Sequence, residues 1–116
     1  MINSKEQILV EKLKSLLKFG ITSTRYKDIF DFYYLINYTQ MNKEEVIKIL
    51  NILIIDDKEM RENTVNDIIR DLKIVLNNKQ YISRLSDARN NWLELPIQNV
   101  IDSVIGYFEM LEMTVV

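Results

Sequence analysis

The chain has no cysteine and no histidine in its 116 residues, and only one proline and two glycines. Without cysteine there is no disulfide, no thiol nucleophile and no thiolate zinc site. Without histidine there is no imidazole base, and the commonest metal ligand is absent. Ser-His-Asp, Cys-His and zinc hydrolase chemistries are thereby excluded. Carboxylates, Lys, Arg and Tyr are the ionisable groups left for catalysis, and a metal held by them would be Mg²⁺ or Mn²⁺. The scarcity of Gly and Pro argues against a β-rich fold, which at this length needs many tight turns. No run reaches the about 18 apolar residues of a membrane span. The opening Met-Ile-Asn-Ser-Lys-Glu does not build a secretory signal, so a cytoplasmic address is expected.

What is present fits one globular unit, residues 1–116, with 47% hydrophobic and 28% charged residues. The net charge of −2 argues against a general nucleic-acid binder. Residues 1–31 are nevertheless basic, with Lys5, Lys12, Lys14, Lys18, Arg25 and Lys27 against Glu6, Glu11, Asp28 and Asp31. Solvated helix faces explain that asymmetry more simply than phosphate binding does.

The periodicity predicts an all-α bundle of about five to six helices. Ser4 caps a first helix that runs to Phe19, with Leu9, Leu13, Leu16 and Leu17 at helical spacing and Gly20 as its left-handed stop. Thr24 is the expected cap of a second helix, Arg25 to Tyr38. Its unbroken Phe32-Tyr33-Tyr34-Leu35-Ile36 marks it as central and buried all round. Asn42 and Glu45 form a capping box before a third helix, and Ile52-Leu53-Ile54-Ile55 is expected to end that helix. Thr64 caps a fourth, whose Val65, Ile68, Ile69, Leu72, Val75 and Leu76 make one clean apolar face. A fifth is expected to align Ile82, Leu85 and Trp92. Pro96 starts the last, which turns Ile97, Val100, Ile101, Val104, Phe108 and Leu111 inward.

Three groups of acids are close enough in sequence to consider for chemistry. Asp56-Asp57 reads as a turn between helices. Asp67 and Asp71 share a helix face with Arg70 and Lys73 beside them, which reads as a solvated ion-pair surface. The third group is Arg25-Tyr26-Lys27-Asp28-Ile29-Phe30-Asp31. Its Arg25, Asp28 and Asp31 fall along one side of the first two turns, with Lys27 offset. Packing against the first helix brings Lys12 toward Asp28 or Asp31. The residues leave two readings open: a structural ion pair beside an apolar helix, or a functional site.

Ile8-Leu9-Val10-Glu11-Lys12-Leu13, Gly20 and Thr24-Arg25-Tyr26-Lys27-Asp28-Ile29-Phe30-Asp31-Phe32-Tyr33-Tyr34-Leu35 together resemble the later half of AbiEii/AbiGii-type nucleotidyltransferase toxins of abortive-infection systems. The motifs are E-K-L followed by R-x-[KR]-D-x-x-D. The resemblance implies that Lys12 contacts nucleotide phosphates and that Asp28 or Asp31 completes the site, with Arg25 and Lys27 as further phosphate-binding cations. It implies Mg²⁺ and a nucleoside triphosphate as cofactor and substrate once the missing half is supplied. That half carries a Gly-Ser turn and an Asp-x-Asp metal pair, and neither motif occurs in this sequence. The chain is therefore expected to be inactive alone, a truncated or split form. Its expected partners are a second copy, the missing half or a cognate antitoxin. Ile8, Leu16, Phe19 and some of Tyr33, Tyr34 and Tyr38 are the candidate apolar face for a homodimer. The alternative is a helical interaction module or antitoxin whose charged cluster is structural.

Overall fold

The computed structural model describes residues 4–87 and 89–115. Six α-helices and no strand occur among them: α1 Lys5–Phe19, α2 Lys27–Tyr38, α3 Lys43–Leu50, α4 Val65–Leu76, α5 Lys79–Leu85 and α6 Ile97–Val115. The all-α expectation holds. α6 packs against both α2 and α4, while α1 packs against α3, so one core joins all the long helices. The radius of gyration is 13.4 Å, close to the roughly 13 Å expected of a compact chain of this length.

Most helix boundaries follow from local chemistry. The Ser4 hydroxyl accepts from the Gln7 amide, the Thr64 hydroxyl from the Asp67 amide, and the Asn78 side chain from the Tyr81 amide. Each satisfies a first-turn N–H that has no intrahelical acceptor. Gly20, at φ +57°, donates its amide to the Leu16 carbonyl and turns the chain out of α1. The six expected residues of the α4 stripe are all buried. The apolar Ile52–Ile55 run continues α3 as a π-helical turn, Asn51–Ile55, and buries Ile54 while leaving Ile52 exposed. Pro96 lies one residue before α6, where its carbonyl accepts from Asn99 and Val100.

Four expectations fail, each for a tertiary reason. Thr24 is exposed and caps nothing; α2 begins at Lys27, after a 3₁₀ turn at Gly20–Thr22 and a short extended stretch in which the buried Ser23 hydroxyl takes the Arg25 amide. The Asn42–Glu45 box is half formed. Asn42 accepts from the Glu45 amide at 3.1 Å, but its own N–H goes to Glu6 on α1, also at 3.1 Å. α2 is not buried all round: Asp28, Ile29, Phe30 and Phe32 are covered, while Tyr34 and Tyr38 face solvent. Trp92 is not on α5. It sits exposed in the following turn segment and meets Tyr34 at a ring separation of 6.0 Å. The inward residues of α5 are Tyr81 and Leu85.

Candidate functional site

Lys12 lies on α1, one residue before the fully buried Leu13, so its stem is fixed by a helix that the core anchors. The first turns of α2 face it. The Lys12 ammonium donates to Asp28 Oδ1 at 2.9 Å and pairs with Asp31 Oδ2 at 3.3 Å. Asp28 and Asp31 are three apart on a helix, and that spacing lets both carboxylates converge on one cation. Arg25, just before the helix, places Nε 3.0 Å from Asp28 Oδ2. Asp28 is thus buried yet paired through both oxygens, the condition under which a desolvated carboxylate persists.

Burial alone would push the Lys12 ammonium down. The hydrogen bond and charge of Asp28, reinforced by those of Asp31, outweigh it and hold the group above the ordinary lysine value. The lysine is therefore charged at every physiological pH. Of the sequence-predicted residues, Lys12, Asp28, Asp31 and Arg25 form one cluster. Lys27 is exposed, and among the described residues it makes no ion pair. The Lys12 ammonium is already compensated by Asp28 and Asp31, and grooves lie elsewhere on the molecule. One of about 320 Å³ runs past Phe19, Ile21, Arg61 and Ile74.

The other acid groups behave as turns and surface. Asp57 takes the Lys14 ammonium at 2.6 Å and the Glu59 amide at 2.8 Å, which fixes the loop after the π-helical turn. Arg70 pairs with Asp67 at 3.2 Å and Asp71 at 3.3 Å on the outer face of α4. No three acids gather as a metal site among the described residues.

Sequence reasoning missed two features. Glu62, in a polar-looking loop, is fully buried, and neither of its oxygens has a hydrogen-bond partner of normal geometry. Burial first, and then the neighbouring Asp71, push its carboxyl above the ordinary range; the Glu62 proton in turn holds Asp71 below it. The second is an aromatic link from the Lys12 cluster to α5. Tyr26 meets the buried Tyr81 at a ring separation of 5.2 Å and a tilt of 55°, and its hydroxyl accepts from Arg84 at 3.0 Å. Arg84 follows Tyr81 by one helical turn, a spacing visible in sequence. Its meeting with Tyr26, 58 positions away, was not.

Residues 3–99 match the family described as nucleotidyl transferase AbiEii toxin, type IV TA system. No curated protein and no solved structure matches the chain.

Proposed function

The chain belongs to the AbiEii nucleotidyl transferase toxin family, and on that premise we propose that it is the helical part of a nucleotidyl-transfer protein. In this reading the chain is inactive alone, a truncated or split form completed by another polypeptide. Lys12 neutralises the triphosphate of a nucleoside triphosphate, Asp28 and Asp31 orient the ammonium, and Arg25 and Lys27 supply further cations at the start of α2. The observation that carries the reading is the convergence of the two motifs: the Lys of E-K-L lies 2.9 and 3.3 Å from the two acids of K-D-x-x-D. Two carboxylates set the position of the ammonium in advance, which suits the orientation of a phosphate against it.

The residues here do not fit a metal centre. Asp28 and Asp31 are both engaged by Lys12, and no third acid joins them among the described residues. Transfer between phosphates depends on carboxylate-held metal ions. The Mg²⁺ is accordingly assigned to the missing Asp-x-Asp polypeptide, and so is the chemistry.

A second reading keeps the cluster purely structural, in an interaction module or antitoxin. It is favoured by the fact that Lys12 is already neutralised. Calorimetric titration with a nucleoside triphosphate and Mg²⁺ separates the two. Heat from the wild type that disappears in Lys12→Ala supports the first. Absence of Mg²⁺-dependent binding in the wild type overturns it.

The same proposal covers address and partners. A cytoplasmic toxin–antitoxin or abortive-infection role accords with the family description, and no helix of the described residues is long and apolar enough to cross a membrane. Ile8, Phe19, Tyr34 and Tyr38 are exposed, as a face covered by a second copy or by the missing half requires, whereas Leu16 is buried and drops out of it. A homodimer predicts twice the chain mass by light scattering; the mass of one chain contradicts it. An antitoxin or missing-half subunit remains the other expected partner.

A further inference from the structure

We infer that Arg84, on α5, is a further phosphate-contacting residue of the Lys12 cluster, held in place by Tyr26. The inference deepens the triphosphate reading and rests on it.

Arg84 occupies the last turn of α5 and is exposed. Its natural helical partner would be Asp87, three residues on. That carboxylate is already taken. Arg89 holds it in a fork, Nη2 to Oδ2 at 2.9 Å and Nε to Oδ1 at 3.1 Å, and the Arg89 amide adds a third bond at 2.9 Å. Among the described residues Arg84 makes no ion pair. It donates instead to the phenolic oxygen of Tyr26 at 3.0 Å. A phenol fixes the direction of a guanidinium without neutralising it. Of the five N–H donors in such a group only one is used here, and the charge remains available to an anion.

Tyr26 brings that charge to the cluster. It stands between Arg25 and Lys27, immediately before α2, and its ring rests on Tyr81 at 5.2 Å. Tyr81 is 1% exposed, so the contact has a rigid floor. The Tyr81 hydroxyl is buried without a hydrogen-bond partner, within the electrostatic reach of Asp28 and Tyr26. The polar side of the cluster therefore extends from Asp28 through Tyr81 and Tyr26 to Arg84. Lys12 and Arg25 pair with Asp28 and Asp31 at one end of it, Lys27 follows Tyr26 in the chain, and Arg84 bonds to Tyr26 at the other end. Lys12 and Arg25 answer the acids; Lys27 and Arg84 are the surplus. α2 starts without a side-chain cap, and its Asp28 and Ile29 amides donate to the Arg25 and Tyr26 carbonyls. Two cations without an ion pair meet at Tyr26, Lys27 as its chain neighbour and Arg84 as its hydrogen-bond donor, and they match a chain of linked phosphates, whose charges are spread over several oxygens. A guanidinium answers such oxygens with directional, charge-assisted bonds.

The test is calorimetric titration of the full chain with sodium tripolyphosphate and Mg²⁺, which isolates the phosphate chain from the nucleoside. Arg84→Ala is expected to weaken binding on the order of tenfold or more, the scale of one charge-assisted hydrogen bond. Arg84→Lys recovers part of the loss. Tyr26→Phe produces a smaller loss, because it frees the guanidinium without removing it. Arg89→Ala releases the Asp87 carboxylate to compete for the Arg84 guanidinium and is expected to weaken binding as well, by less than Arg84→Ala. If Arg84→Ala binds like the wild type while Lys12→Ala loses binding, the inference falls and the triphosphate reading stands. If the wild type does not bind at all, the reading falls and takes the inference with it. Circular dichroism confirms that each variant is folded. Should Arg84→Ala fail to fold, Arg84→Gln, which keeps the reach to Tyr26 and removes the charge, replaces it under the same criteria.

Discussion

Replacing Glu62 by Gln should stabilise the protein at neutral and alkaline pH and do little in mild acid. The carboxyl is fully buried and neither oxygen has a partner of normal geometry. Burial, then the neighbouring Asp71 carboxylate, raise its pKa from the ordinary 4.5. A raised carboxyl pKa means that the folded state holds a proton which the unfolded state has released. The stability it contributes is complete below about pH 4.5 and is lost as pH rises toward the folded value. Gln has the same shape and carries a permanent N–H donor toward Asp71, so it does not depend on that proton. A buried polar group without its partner costs about 1–3 kcal/mol. Taking the lower end, Glu62→Gln gains about 1 kcal/mol at pH 8, or about 4 °C in Tm for a chain of this size. Near pH 4 the two proteins should melt together. Thermal denaturation followed by circular dichroism at both pH values measures the difference. A Glu62→Gln variant that melts lower by the same amount at both pH values refutes the reasoning, because it would mean that Glu62 is ionised and paired in the fold.

Two other perturbations probe the backbone and the charged cluster. At Gly20, φ +57° and ψ −137° lie where an L-residue is strained, and no atom would meet an added Cβ within 4 Å; Gly20→Ala should therefore cost about 1–2 kcal/mol through the backbone alone. Gly106 lies inside α6 with equally open space, and Gly106→Ala should gain about 0.5–1 kcal/mol, both effects being read from urea midpoints. Removing the Lys12 ammonium, as in Lys12→Met, leaves Asp28 with Arg25 alone and should cost about 1–2 kcal/mol, less than a fully buried pair because both groups keep some solvent. The folded-state pKa of Lys12 is raised, so this difference should persist from neutral pH to about pH 10.4 and shrink above it as the wild-type lysine loses its proton. Urea unfolding at pH 7 and pH 11 compares the two.

The helices were legible because each rule behind them is local. The α4 stripe is a run of apolar residues at helical spacing behind a Thr cap, and the fold buries all six. The meeting of Lys12 with α2 was legible as a charge pattern, although that Asp28 and Asp31 share the same ammonium needed the structure. What sequence could not show depends on packing partners. An aromatic run such as Phe32 to Ile36 is apolar in every direction, and only the positions of α1 and α6 decide that Phe32 is covered while Tyr34 is not. Thr24 has the chemistry of a cap, but the extended stretch that carries α2 to Lys12 delays the helix past it. Glu62 has neighbours typical of a surface loop; in the fold Asp71 of α4 stands beside it and Arg61 next to it donates to the Leu17 carbonyl at 3.1 Å.

The central claim is that the Lys12 cluster receives phosphate. Nuclear magnetic resonance of the isotopically labelled chain, titrated with a nucleoside triphosphate and Mg²⁺, tests it most directly because it locates the ligand. The account predicts shifts concentrated at Lys12, Arg25, Lys27 and the first turn of α2, and their loss in Lys12→Ala. Shifts confined to other surfaces, or a spectrum that does not change, contradict it.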